Sequence, residues 1–126
     1  MLLELFYSLS HVQSEIHSHH DGNAVSSAVK YIEDNFGKDI SIDTLKSMCH
    51  VSESTLRRAF VAYCGLSPMM YLNKVRMSKA YDLLVSTDMS VSEVASSVNI
   101  PDLSYFSRRF KATFGISPAV IRKGRV

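Results

Sequence analysis

Apolar residues recur at steps of three and four along most of the chain. Leu2, Leu5, Phe6, Leu9, Val12 and Ile16 make the first such stripe, the spacing of one face of a helix. Polar turn residues from His17 to Asn23 follow and read as a linker. Val25, Ala28, Val29, Ile32 and Phe36 predict a second helix, capped by Asn23 and stopped by Gly37. Leu45 and Met48 predict a short helix, with Ser41 or Asp43 as its cap and a turn at Cys49-His50-Val51. Ser52 then caps a helix with Leu56, Ala59, Phe60 and Tyr63 on one side and Ser54, Arg57, Arg58 and Val61 on the other. Gly65 stops it.

Pro68 opens a long helix to about Ser86, with Tyr71, Leu72, Val75, Ala80, Leu83 and Leu84 apolar. At roughly 19 residues it spans about 28 Å. Ser90 or Ser92 caps a short helix carrying Val94, Ala95 and Val98, and Asn99-Ile100-Pro101 forms a turn. Asp102 caps the last main helix, with Phe106, Phe110 and Tyr105 expected inward and Ser104, Ser107, Arg108 and Lys111 outward. Gly115 ends it, and the tail after Pro118 is short and basic. No stretch alternates as a strand would, so the fold class is all-α.

The pattern repeats. S-E-S-T-L-R-R-A-F-V-A-Y-C-G-L-S-P, from Ser52 to Pro68, returns as D-L-S-Y-F-S-R-R-F-K-A-T-F-G-I-S-P, from Asp102 to Pro118. Before the turns the two copies align at an offset of 49 and after them at 50, so the second turn holds the extra residue. One small unit is built twice. The expected architecture is two helix-turn-helix subdomains joined by a long linker helix, about seven helices, preceded by an N-terminal apolar helix. The boundaries fall at 1–22 (helix and linker), 23–67 (first subdomain), 68–86 (linker helix) and 87–126 (second subdomain).

Charge sharpens this picture. Residues 1–53 hold three lysines and eight acids, while residues 54–126 hold eleven Lys/Arg and four acids. The repeat-bearing half is the positive half, which suits a polyanion partner. Cys49 and Cys64 have no metal-ligand spacing and fit a reduced, intracellular chain. His17, His19 and His20 match no common zinc pattern, so no metal or other cofactor is expected. No apolar run approaches transmembrane length, and no motif has catalytic spacing, so neither a membrane protein nor an enzyme is expected.

A short helix, a tight turn and a second helix with a basic outer face are the parts of a helix-turn-helix. The second helix of that motif enters the DNA major groove. Arginine suits the place because its planar fork can donate twice to guanine O6 and N7 or grip a phosphate.

Residues 24–122 resemble the DNA-binding domain of AraC/XylS-type bacterial transcription regulators. The resemblance rests on I-E-D-N-F (32–36), L-x6-S-x3-L-x-R-x-F-x4-G-L-S-P (45–68) and Y-L-x3-R-M-x2-A-x2-L-L (71–84). It continues through S-V-S-E-V-A (90–95) and D-L-S-Y-F-S-R-R-F-K-A-x2-G-I-S-P (102–118). It implies sequence-specific binding of double-stranded promoter DNA by an activator, with two reading helices in adjacent major grooves. Carried over by position, Ser54, Arg57 and Arg58 of the first unit, and Leu103, Ser104, Ser107 and Arg108 of the second, meet bases. Ser52, Thr55, Lys74 and Lys111 are the candidates for phosphate contact. The first helix, with two groove-facing arginines, is expected to read bases more strongly than the second. The resemblance further implies a cytoplasmic, nucleoid-associated protein that works with RNA polymerase. Residues 2–16 would be a dimerisation segment or the end of a larger N-terminal domain. The alternative is a helix-turn-helix fold used as a protein-interaction module.

Four positions depart from the family pattern. Lys46 stands where a small alanine is usual, and either snorkels outward or loosens the first unit. His50 and Asn99 stand where the turns usually carry glycine. Ile100 replaces a usual phenylalanine.

Overall fold

The structure is a computed structural model that describes residues 20–124, with side chains from Val25 onward. The apolar stripe over 2–16, and His17 and His19, lie outside the described residues. Among the described residues there are seven helices and no strand. They are α1 (His20–Asn35), α2 (Ile42–Cys49), α3 (Glu53–Cys64), α4 (Pro68–Ser86), α5 (Val91–Ser97), α6 (Leu103–Phe114) and α7 (Pro118–Lys123).

The all-α expectation holds, with corrections at the ends of elements. Asn23 does not cap α1 but lies inside it, and the described part of that helix, His20–Asn35, takes in part of the expected linker. One interior glycine costs a helix about 1 kcal/mol. A 16-residue helix with Val25, Ala28, Val29 and Ile32 buried can absorb that. The basic tail after Pro118 is helical as far as Lys123 and forms α7, capped by the Ser117 hydroxyl, which accepts from the Val120 N–H at 3.3 Å. The signal was present in the repeat, because Ser67-Pro68 opens α4 in the same way.

The described residues form two compact units. The first holds α1, Ile40, α2, α3 and α4 as far as Leu72. In it α1 packs against both α2 and α3. Leu45, Leu56 and Phe60 are fully enclosed, each worth about 1.5–3 kcal/mol of burial. Tyr71 packs its ring 5.8 Å from that of Phe60, and its hydroxyl donates to Glu33 at 3.1 Å.

The second unit holds α4 from Asn73 onward, α5, α6, α7 and the short strap Phe36–Asp39. Its core is Met77, Ala80, Leu84, Val94, Ala95, Val98, Ile100, Phe106 and Phe110. Phe36 packs against this core, so it is not part of the α1 face that the stripe suggests. The Arg76 guanidinium fastens the strap, with Nε donating to the Phe36 carbonyl at 2.8 Å and Nη2 to the Lys38 carbonyl at 2.9 Å. Burial pushes the Arg76 pKa down, and the Asp39 carboxylate pulls it back up. Gly37 lies against α5, where an added Cβ would stand 3.0 Å from the Ser97 carbonyl oxygen.

Candidate nucleic-acid interface

The two helix pairs share one turn chemistry. α2 ends at His50 in the left-handed region, φ 56° and ψ 41°, and the His50 N–H bonds the Lys46 carbonyl. The Val51 N–H reaches the same carbonyl at 3.4 Å, the bond across five residues that closes a left-handed helix cap. In the second pair Asn99 takes the left-handed conformation at φ 60°, and the Ile100 N–H bonds the Ala95 carbonyl at 2.9 Å. From the left-handed residue to the next cap there is one residue in the first turn, Val51, and two in the second, Ile100 and Pro101. The extra residue stands where the offset between the repeats places it. Ile100 is buried, so it fills the place usually taken by phenylalanine.

Ser52 caps α3, its Oγ accepting from the Thr55 N–H at 3.2 Å. Leu56, Phe60 and Tyr63 are buried and set the roll of the helix. That roll leaves Ser54, Arg57 and Arg58 exposed and Thr55 half-buried. Four of the candidate side chains meet in a short chain of polar contacts. Ser52 Oγ lies 3.3 Å from Ser54 Oγ and donates to Thr55 Oγ1 at 2.9 Å. Arg58 Nη2 donates to the same Thr55 oxygen at 3.4 Å. Arg57 turns instead to Glu53, Nη2 to Oε2 at 3.3 Å. Lys46 directs its ammonium outward to Asp43 at 3.7 Å, in keeping with snorkelling.

Asp102 caps α6 through the Tyr105 N–H at 3.1 Å. Phe106 and Phe110 are fully buried, and the Phe110 and Phe114 rings lie 4.6 Å apart. Leu103, Ser104, Arg108 and Lys111 are exposed, and Ser107 is half-buried. Tyr105 was expected inward but is 41% exposed. With Phe106 pinned in the core, its predecessor is turned about 100° away around the helix, which brings Tyr105 to the outer surface. Among the described residues no carboxylate pairs with Arg108 or Lys111, and the first turn of α6 has no acid. Lys74 is half-buried on α4, away from both outward-facing helices in the sequence.

Sequence reasoning missed two features of these surfaces, Tyr105 and the acidic partner of Arg57. The second had a local signal, since Glu53 and Arg57 stand four apart on a helix. The arrangement offers hydroxyls, guanidinium groups and an ammonium on the outer faces of two capped helices, the donor set that phosphates and guanine edges accept. Among the described residues no cluster of His, Cys, Asp or Glu could hold a metal, and no helix is long and apolar enough to cross a membrane.

Comparison with known proteins agrees with this geometry. Residues 45–124 match a family described as a helix-turn-helix domain. The transcriptional activator RhaS of Enterobacter sp. strain 638 is 38% identical over 95 residues, which cover 75% of this chain and 34% of RhaS. The chain thus spans about a third of the length of the curated relatives it matches. Among solved structures, the C-terminal domain of the response regulator AraT from Geobacillus stearothermophilus superposes with a TM-score of 0.76 at 34% identity, over 82% of this chain and 86% of that one. The DNA-binding domain of AdpA, solved with a target DNA, gives 0.75 at 26% identity over 79% and 90%.

Proposed function

This chain belongs to the AraC/XylS family of helix-turn-helix domains, and from that premise we propose that it binds double-stranded promoter DNA sequence-specifically, as the DNA-binding part of a transcription activator. The observation that carries the reading is the twice-built surface: a left-handed turn, a side-chain-capped helix and an outward arginine at Arg58 and again at Arg108. Such a helix places its N-terminal half against base edges.

In this reading Ser54, Arg57 and Arg58 on α3, and Leu103, Ser104, Ser107 and Arg108 on α6, contact bases in adjacent major grooves. Ser52, Thr55, Lys74 and Lys111 contact phosphate. The α4 helix serves as the linker between the two subdomains. The protein works in the bacterial cytoplasm on the nucleoid, with RNA polymerase as its partner, and residues 2–16 or a further domain provide dimerisation. The AdpA domain solved with target DNA supports the DNA partner, and the RhaS relatives support activation.

The test is selection of bound duplexes from a random pool. A single enriched site spanning two adjacent major grooves is expected. Absence of salt-dependent DNA binding would overturn the reading and favour a protein-interaction module.

A further inference from the structure

The Glu53–Arg57 pair sits at the start of the first outward helix, where a carboxylate works against phosphate binding. The two groups meet at 3.3 Å with Arg57 60% and Glu53 48% exposed. The helix does not depend on this acid for its cap, because Ser52 already provides it. An exposed pair of this kind contributes little to stability and is screened by salt. The matching helix α6 has no acid in its first turn, and the carboxylate at its start, Asp102, is engaged as the cap by the Tyr105 N–H and not by an arginine.

The pair also separates two neighbouring arginines. Arg58 leans on the Thr55 hydroxyl, a neutral partner, and keeps its full positive charge toward a polyanion. Arg57 has its charge offset by Glu53, yet the pair occupies only one of the five guanidinium donors. An arginine so placed gains less from a phosphate and still has donors for the two acceptors of guanine.

We propose that Glu53 is a specificity-determining residue of the first unit. Its carboxylate positions Arg57 for a guanine edge and deters capture of that guanidinium by phosphate. The inference rests on the DNA-binding reading above and deepens it. It assigns α3 a G·C-reading pair, with positive and negative members acting together, that α6 lacks.

The experiment uses the full chain and the duplex enriched by selection, with every base pair of the site substituted in turn. Glu53→Gln keeps the shape and removes the charge. Its expected effect is a loss of about tenfold in discrimination at one G·C pair. Affinity for unrelated DNA should rise about three- to tenfold, with only a small fall in melting temperature from the lost charge in the first turn of α3. Arg57→Ala should abolish the same preference, and adding Glu53→Gln to it should change the base profile no further. A helix-stabilising role alone would lower affinity evenly at all positions. That outcome, or an unchanged base profile on a site the wild type reads specifically, overturns this inference alone. Absence of any specific binding by the wild type overturns the DNA reading and this inference with it.

Discussion

The carboxamide of Asn99 donates a hydrogen bond to the Asp39 carboxylate at 2.7 Å, joining residues 60 positions apart. Asn99 therefore does two things in the second turn. Its backbone supplies the left-handed conformation at φ 60°, and its side chain ties the turn to the strap. Asp39→Ala removes the tie, together with the attraction of the carboxylate for Arg76, and should cost about 1 kcal/mol. Asn99→Ala removes the tie and also places an alanine in the left-handed region, at a further cost of about 1–2 kcal/mol. Urea melts of the two variants should rank in that order, and equal losses would contradict the backbone part of the argument.

His50 meets the same backbone demand less well. At φ 56° it holds a conformation that glycine adopts without penalty. Its side chain is exposed, so little packing is lost on removal. His50→Gly should stabilise the protein by about 0.5–1 kcal/mol. A thermal melt that shows no rise would mean the imidazole makes a compensating contribution.

Arg58 and Arg108 are the repeated arginines, exposed on α3 and α6. Replacing either with alanine should weaken binding to the selected site by about 1–3 kcal/mol and relax base preference nearby. Lys111→Ala should weaken binding evenly across sequences and reduce the salt slope by about one. Gel shifts over a range of salt concentrations check both, and a base-selective effect at Lys111 would contradict its assignment to phosphate.

Glu93 provides a pH handle. The Ser90 backbone N–H donates to its carboxylate at 3.1 Å, while the Ser90 hydroxyl accepts from the Glu93 N–H at 3.0 Å. The Ser90 backbone bond, then its hydroxyl, holds the Glu93 pKa below the ordinary value of 4.5. A depressed folded-state pKa stabilises the fold above the ordinary pKa. That contribution is therefore complete at neutral pH and fades as pH falls below 4.5. Glu93→Ala should flatten the acid limb of a stability-versus-pH curve and leave its alkaline side parallel to wild type.

Most of the helices were legible because their signals are local. Ser52 and Asp102 cap helices as their positions suggest, and Gly65 and Gly115 end them at φ 78° and 81°. Phe106 and Phe110, four apart, announced the buried face of α6. Met77 was overlooked as a core residue and is 1% exposed. It lies three residues before Ala80 and seven before Leu84, on the face of α4 that joins the second core, whereas Tyr71 and Leu72 belong to the first unit. Tyr105 was misread because an aromatic side chain was assigned to the core on residue type, although its angular position puts it outside.

What the amino-acid sequence by itself determined is the main helices of the two repeats, the Ser52 and Asp102 caps, the places of the two turns and the doubled arginine surface. Each of these depends on residues a few positions apart, where hydrogen-bond geometry and side-chain periodicity act directly. Only the tertiary structure decided that Phe36–Asp39 belongs with the second unit. There Arg76 reaches two carbonyls of the strap, Asn99 reaches Asp39, and Phe36 joins a core built from residues 77 to 110. Those partners lie roughly 40 to 60 positions apart along the chain. No periodicity records them, because what selects them is the burial of a common apolar core and the need to satisfy backbone groups beside it.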